Sequence, residues 1–265
     1  EADGVETMVD FAADHIPSPE AAELIQAVSA EYSGGEFEFH PGVSYRHLLV
    51  WHGGQEAMQT TPPHDITGLS LDGYWPRGDG GQRLCELMRR SQEIFAEHPV
   101  NTRRQLAGHK PVSSIWLWGQ GRRPAVPTIA ERFGLSGVVI SAVDLVRGLG
   151  VLAGLEIIEV PGATGFLDTN YLGKAEYGLA ALREKDLLFL HVEATDEAGH
   201  MGAADKKVQA LEDFDEKVVG TILHGLKEFP EWKILLMPDH ATPVAIKTHS
   251  SDPVPFAVLS SAAEL

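Results

Sequence analysis

The chain has 265 residues, enough for one large domain or two smaller ones and enough to bury a substantial core. Hydrophobic residues make up 43% of it, too many for a disordered chain, and a formal charge of -17 argues against a nucleic-acid partner. A single cysteine, Cys85, excludes an intrachain disulfide scaffold and reads as a packed thiol on a helix. No apolar run is long enough to cross a membrane, and no basic-then-apolar leader opens the chain. A cytoplasmic location is the plain expectation. Glu1 in place of an initiating Met suggests an excised segment.

Along the chain, Ser18 and Pro19 mark a helix start, and Leu24, Ile25 and Val28 continue it at helical spacing until Gly34 and Gly35 stop it. His47 to Trp51 reads as a buried strand. Gln82 to Glu97 reads as a helix with Leu84, Leu87, Met88, Ser91 and Phe95 on one face. From about residue 126 the texture changes to short apolar runs alternating with helical patterns. Thr128 to Glu131 is a capping box. Strands are expected at Val138–Ile140, Glu156–Val160, Leu187–Val192, Ile234–Met237 and Phe256–Leu259. The longest helix is expected from Asp205 to Leu226, with Val208, Leu211, Phe214, Val218, Ile222 and Leu226 packing on a sheet. Such alternation predicts an α/β fold, with a mostly parallel sheet covered by helices on both faces.

In open α/β sheets, ligands sit beyond the carboxyl ends of the strands. Three Asp/His groups fall at or beside strand ends. Asp196 and His200 follow one strand, Asp239 and His240 follow another, and His249 just precedes the last. Asp196, His200 and His249 form a candidate three-ligand metal site, and Asp239 with His240 half of a second. Carboxylate and imidazole together suit Mn, Zn, Fe or Co, and paired metals recur in phosphoryl transfer. Each group alone is more often a helix cap, a surface histidine or a turn; it is their shared position at strand ends that favours ligation. Thr61–Asp65 is a rigid loop presenting His64 and Asp65, with a plain turn as the competing reading. Arg122 and Arg123 lie behind a glycine-rich turn, where a guanidinium suits phosphate and a solvated basic turn is equally expected.

The runs His191–His200, Pro238–His240 and Thr248–Phe256 resemble, in order, the metal motifs of the archaeal-type, cofactor-independent phosphoglycerate mutases. Tyr45–Trp51, Pro62–Asp65, His98–Asn101, Ile115–Gly121, Val160–Gly165 and Leu167–Tyr171 are similar to other motifs of that family. The resemblance spans nearly the whole chain. It implies an alkaline-phosphatase-like α/β core, about residues 121–265, and a smaller inserted substrate-gripping α+β domain, about residues 1–120. It implies two divalent metal ions and no 2,3-bisphosphoglycerate: one metal on Asp196, His200 and His249, the second on Asp239 and His240. Manganese is the preferred ion, with zinc, cobalt or magnesium as alternatives.

The resemblance also implies that 3-phosphoglycerate and 2-phosphoglycerate are interconverted through a phosphoserine, with His64, Asp65, Arg122 and Lys174 gripping the substrate. The family's nucleophilic serine and one metal-binding Asp would precede Glu1, so no catalytic serine is nominated. The chain as it stands is expected to be inactive, with a weak second metal. A related metal-dependent phosphatase or phosphotransferase, or a non-catalytic metal- or ligand-binding module, are the alternatives. The expected partner is a small phosphorylated molecule, with no nucleic acid and no membrane; no motif encodes an oligomeric state.

Overall fold

The structure is a computed structural model that describes residues 4–32 and 34–262. Residues 1–3, 33 and 263–265, which include the outer ends of both expected domains, lie outside the described residues. The chain divides into two compact units, Glu1–Arg123 and Pro124–Leu265.

In the first unit, helix α1 (Ser18–Glu31) precedes an antiparallel ribbon of β1 (Phe37–Pro41) and β2 (His47–Trp51). A 3-10 turn (Pro63–Ile66), α2 (Gly81–Ala96) and α3 (Pro99–Leu106) come next. The apolar positions read from the sequence do face inward: Leu24, Val28, Leu84, Leu87 and Phe95 join one core. Each such fully buried side chain contributes about 1.5–3 kcal/mol. Cys85 is only half-buried; its thiol faces the Pro76 carbonyl at 3.5 Å, and burial raises its pKa. Arg104 is 2% exposed and bonds the carbonyls of Lys110 and Ala13 and the Glu20 carboxylate, at 3.0, 2.7 and 2.9 Å.

The second unit begins with α4 (Ile129–Phe133), whose Thr128–Glu131 capping box is formed as expected. Strands β3 (Gly137–Ile140), β4 (Glu156–Ile157) and β5 (Leu187–Leu190) make a parallel sheet in the order β4-β3-β5. Crossovers run through α5 (Asp144–Leu152) and α6 (Tyr171–Leu182). The central strand, β3, is buried along its whole length. The chain is thus α/β, but the sheet is divided. The last two strands, β6 (Lys233–Leu236) and β7 (Ala257–Ser260), pair antiparallel with each other as a separate ribbon. Period and apolarity locate strands without naming their partners, which is why the sequence alone suggests one sheet of all five. Among the described residues, no helix is long and apolar enough to cross a membrane.

The long helix also differs from expectation. After α7 (Ala194–His200) comes α8 (Ala204–Asp213), then a π-helical turn (Phe214–Val219), α9 (Gly220–Gly225) and a 3-10 turn (Leu226–Glu228). A π turn holds more residues than an α turn and so rotates the next helical segment about the axis. Val218 and Leu226 are buried, whereas Val208 and Leu211 are 55% and 50% exposed. The part after α8 packs on α6, through Tyr171, Ala175, Phe214, Val218 and Ile222.

Candidate metal centre

Four side chains from three stretches meet beyond the ends of β5 and β6. Asp196 and His200 both lie on α7. Their i,i+4 spacing puts them on one face, with His200 Nε2 3.1 Å from Asp196 Oδ2. His240 and His249 come from loops joined by an antiparallel bridge between Ala241 and Ser250. The two rings lie 3.8 Å apart between centroids. His249 Nε2 is 3.6 Å from Asp196 Oδ1 and 3.1 Å from His200 Nε2, and His240 Nδ1 is 4.0 Å from Asp196 Oδ1.

These spacings suit a metal. Bonds of about 2.0–2.1 Å meeting at tetrahedral angles put ligand atoms about 3.4 Å apart. Asp196, His240 and His249 can each offer an atom such that all three lie within 4.8 Å of one another. His200 Nδ1 bonds the Lys247 carbonyl at 3.0 Å, and since a carbonyl only accepts, Nδ1 carries the proton, so that in a neutral ring Nε2 would be the atom offered to a bound metal.

The supporting residues carry little signal in the sequence. Thr242 is buried; its hydroxyl donates to Asp196 Oδ1 and lies 3.3 Å from His240 Nδ1. Lys207 Nζ donates to the Thr242 carbonyl at 2.6 Å. A Cβ on Gly199 would lie 2.5 Å from that same carbonyl oxygen, so glycine lets α7 approach the loop. Gly199 stands inside the motif; Thr242, two residues past His240, has no signal of its own.

The trio read in the sequence, Asp196, His200 and His249, lies together, and His240, expected in a second group with Asp239, joins it. His240 sits with Asp196 and His249, and Asp239 stands at the rim, 69% exposed, with Oδ2 3.4 Å from His240 Nε2.

The four expected grip residues are distributed over both units. His64 and Asp65 project from the 3-10 turn, anchored by buried Pro63 and Ile66, with His64 Nε2 3.6 Å from Asp65 Oδ1. The His64 ring packs edge-on against Trp118 at 5.4 Å. Arg122 is 77% exposed and paired with Glu56 at 2.8 Å. Lys174 belongs to the second unit and is 0% exposed. Its Nζ donates to the His191 carbonyl at 3.1 Å, and burial pushes its pKa down to about 8, against the attraction of Glu193.

Around Lys174 lie further groups that the sequence does not single out. His191 sits between Ser141 and Glu193, with Nδ1 3.1 Å from Ser141 Oγ and Nε2 3.3 Å from Glu193 Oε2. Burial lowers the His191 pKa and raises that of Glu193, whose acidic neighbours Asp196, Glu197 and Asp239 push the same way. Ser141 also borders a cleft with Arg147, Glu159, Val160 and Ala163 at the carboxyl ends of β3 and β4. Ser141 is marked by position alone, just after β3, whereas His191 and Glu193 stand inside the run His191–His200 without being given a role by it.

A 2,3-bisphosphoglycerate-independent phosphoglycerate mutase of Methanothrix thermoacetophila is 50% identical over 260 residues, covering 98% of this chain and 65% of that protein. The chain thus spans about two thirds of that relative's length. A solved structure of a Pyrococcus horikoshii protein matches with a TM-score of 0.71 at 24% identity, over 96% of this chain and 62% of that one. A cofactor-independent phosphoglycerate mutase from Thermoplasma acidophilum matches with a TM-score of 0.57 at 22% identity, over 97% of this chain and 63% of that one. At these identities the two structures establish a shared fold. The family model described as Metalloenzyme superfamily matches residues 21–264, nearly the full length, and the chain belongs to that superfamily.

Proposed function

We propose that this chain is the metal-binding and substrate-gripping part of a phosphoglycerate mutase that needs no 2,3-bisphosphoglycerate. The observation that carries this reading is the convergence of Asp196, His200, His240 and His249, with contacts of 3.1–4.0 Å around one carboxylate. The similarity to a mutase at 50% identity supports the same reaction.

On this reading Asp196, His200, His240 and His249 hold divalent metal, with Asp239 and His240 the start of a second position. Manganese is preferred. Bound there, a divalent cation supplies Lewis acidity to a phosphoryl oxygen and lowers the pKa of a hydroxyl it holds. Lys174 supplies a cation in a water-poor setting, where an ammonium attracts an anionic oxygen more strongly than in bulk water. His64, Asp65 and Arg122 of the first unit are assigned to the glycerate and its phosphate; Arg122 would exchange its Glu56 partner for the substrate. The first unit thereby acts as the gripping domain and the second as the metal-binding core. The serine that carries the phosphoryl group in the family is not assigned among these residues, so the chain by itself is expected to bind metal without turnover. A glycolytic role and a cytoplasmic location go with this reading.

The test is an assay of the full-length protein with 3-phosphoglycerate, with and without Mn. Manganese-dependent formation of 2-phosphoglycerate is expected. Release of inorganic phosphate in its place would assign a phosphatase, and no metal dependence would remove the reading.

A further inference from the structure

Ser141, His191 and Glu193 connect the parallel sheet to the helix that carries the candidate ligands. β3 and β5 are in register, with Ile140 opposite Leu190, so Ser141 and His191 leave the sheet side by side. The His191 amide donates to the Ile140 carbonyl at 2.9 Å, which extends the ladder by one bond. The chain then turns at once into α7. The Glu193 carbonyl accepts from the amides of Asp196 and Glu197, at 2.9 and 3.2 Å, and so opens the first turn of that helix.

The side chains trace the same path. Ser141 Oγ accepts the Val143 amide at 3.0 Å and lies 3.1 Å from His191 Nδ1 and 3.5 Å from the Val143 carbonyl, so its proton can go to the ring, the nearer of the two acceptors. The second ring nitrogen then carries its proton toward Glu193 Oε2, 3.3 Å away. With an ionised Glu193 only this direction satisfies all three groups, because a lone pair on Nε2 would face a carboxylate. Lys174 depends on the same segment, since its Nζ donates to the His191 carbonyl at 3.1 Å. The three residues 191–193 therefore locate both the buried ammonium and the start of the helix bearing Asp196 and His200.

We infer that Ser141 and His191 are positioning residues, fixing where the Lys174 ammonium and the Asp196–His200 face of α7 stand relative to each other. The inference rests on the reading of Asp196, His200, His240 and His249 as metal ligands. The ring of His191 is a strut between the end of β3 and the first turn of α7.

The experiment uses the whole chain. Mn binding is measured by calorimetry for wild type, Ser141→Ala and His191→Phe, with folding checked by circular dichroism. The titration of Lys174 is monitored through its Cε resonance after specific lysine labelling. His191→Phe keeps the ring volume and removes both hydrogen bonds; Ser141→Ala removes one atom and serves if the larger change does not fold. Loss of the strut, coupling to the ligands through the start of α7, is expected to weaken Mn binding about tenfold and to displace the Lys174 midpoint. Ser141→Thr, which keeps the hydroxyl, should restore both. A purely structural role would lower the melting temperature and leave Mn affinity and the Lys174 midpoint unmoved, and that result overturns the inference. A wild-type chain that binds no Mn would overturn the metal-site reading and the inference with it. Wild-type binding with unchanged variants would remove the inference alone.

Discussion

The hydroxyl of Thr242 donates a hydrogen bond to Oδ1 of Asp196, the carboxylate around which three histidines gather. It orients the one acidic group of the cluster and occupies one of its lone pairs. Thr242→Val keeps the side-chain shape and removes the donor. Mn affinity should fall about tenfold, as is usual for a partner that orients a ligand. Calorimetry on the chain checks this, and unchanged affinity would mean that Asp196 is held without Thr242.

Gly199 is the complementary case. On an exposed helix, Gly→Ala stabilises by about 1 kcal/mol. Here the added Cβ would lie 2.5 Å from the Thr242 carbonyl oxygen, so α7 and the loop must separate. Gly199→Ala should therefore destabilise the chain, by about 1–3 kcal/mol in urea unfolding. A stabilised variant would contradict the close approach.

The ligand ranking can be measured directly. Asp196, His240 and His249 offer atoms that converge, whereas the Asp239 side chain is 69% exposed at the rim. Replacing Asp196 or His249 with Ala should abolish tight Mn binding. Asp239→Asn should leave tight binding on Asp196 and His249 in place and remove only the weaker second position. Metal content after dialysis separates the two outcomes.

Lys174 makes stability depend on pH. Its folded pKa of about 8 lies below the unfolded value. Below the folded pKa both states carry the proton, and the folded chain bears the cost of a buried charge. As pH rises through about 8 toward about 10.4, the folded state releases its proton first, so stability increases. Relative to Lys174→Met, which has no such group, wild type should gain about 2–3 kcal/mol between about pH 7 and about pH 10. Parallel urea curves for the two proteins at both pH values give the difference, and a constant gap would show that the ammonium is not buried.

In the first unit, Arg104 satisfies two carbonyls and the Glu20 carboxylate from a buried position. Arg104→Ala leaves those partners unpaired and should cost about 3–5 kcal/mol. Chemical unfolding measures it; a loss below about 1 kcal/mol would mean that water replaces the guanidinium.

The sequence by itself located many of the elements and, in the first unit, their inward faces. Helical spacing marked Leu24, Val28, Leu84 and Leu87, which enter the core, and strand-sized apolar runs marked β3, β5, β6 and β7. It also brought forward Asp196, His200, Asp239, His240 and His249 as candidates, because carboxylates and imidazoles beside strand ends form a local pattern. Pairing, by contrast, was decided by tertiary structure alone. The antiparallel β6–β7 ribbon, the π turn that leaves Val208 and Leu211 exposed, the placing of His240 beside Asp196 and His249, and the Ser141–His191–Glu193 strut all join residues distant in the chain or change the phase of a helix. Periodicity records which way a side chain points from its own backbone. It holds no record of which other backbone lies opposite, and that is settled only when the whole chain packs.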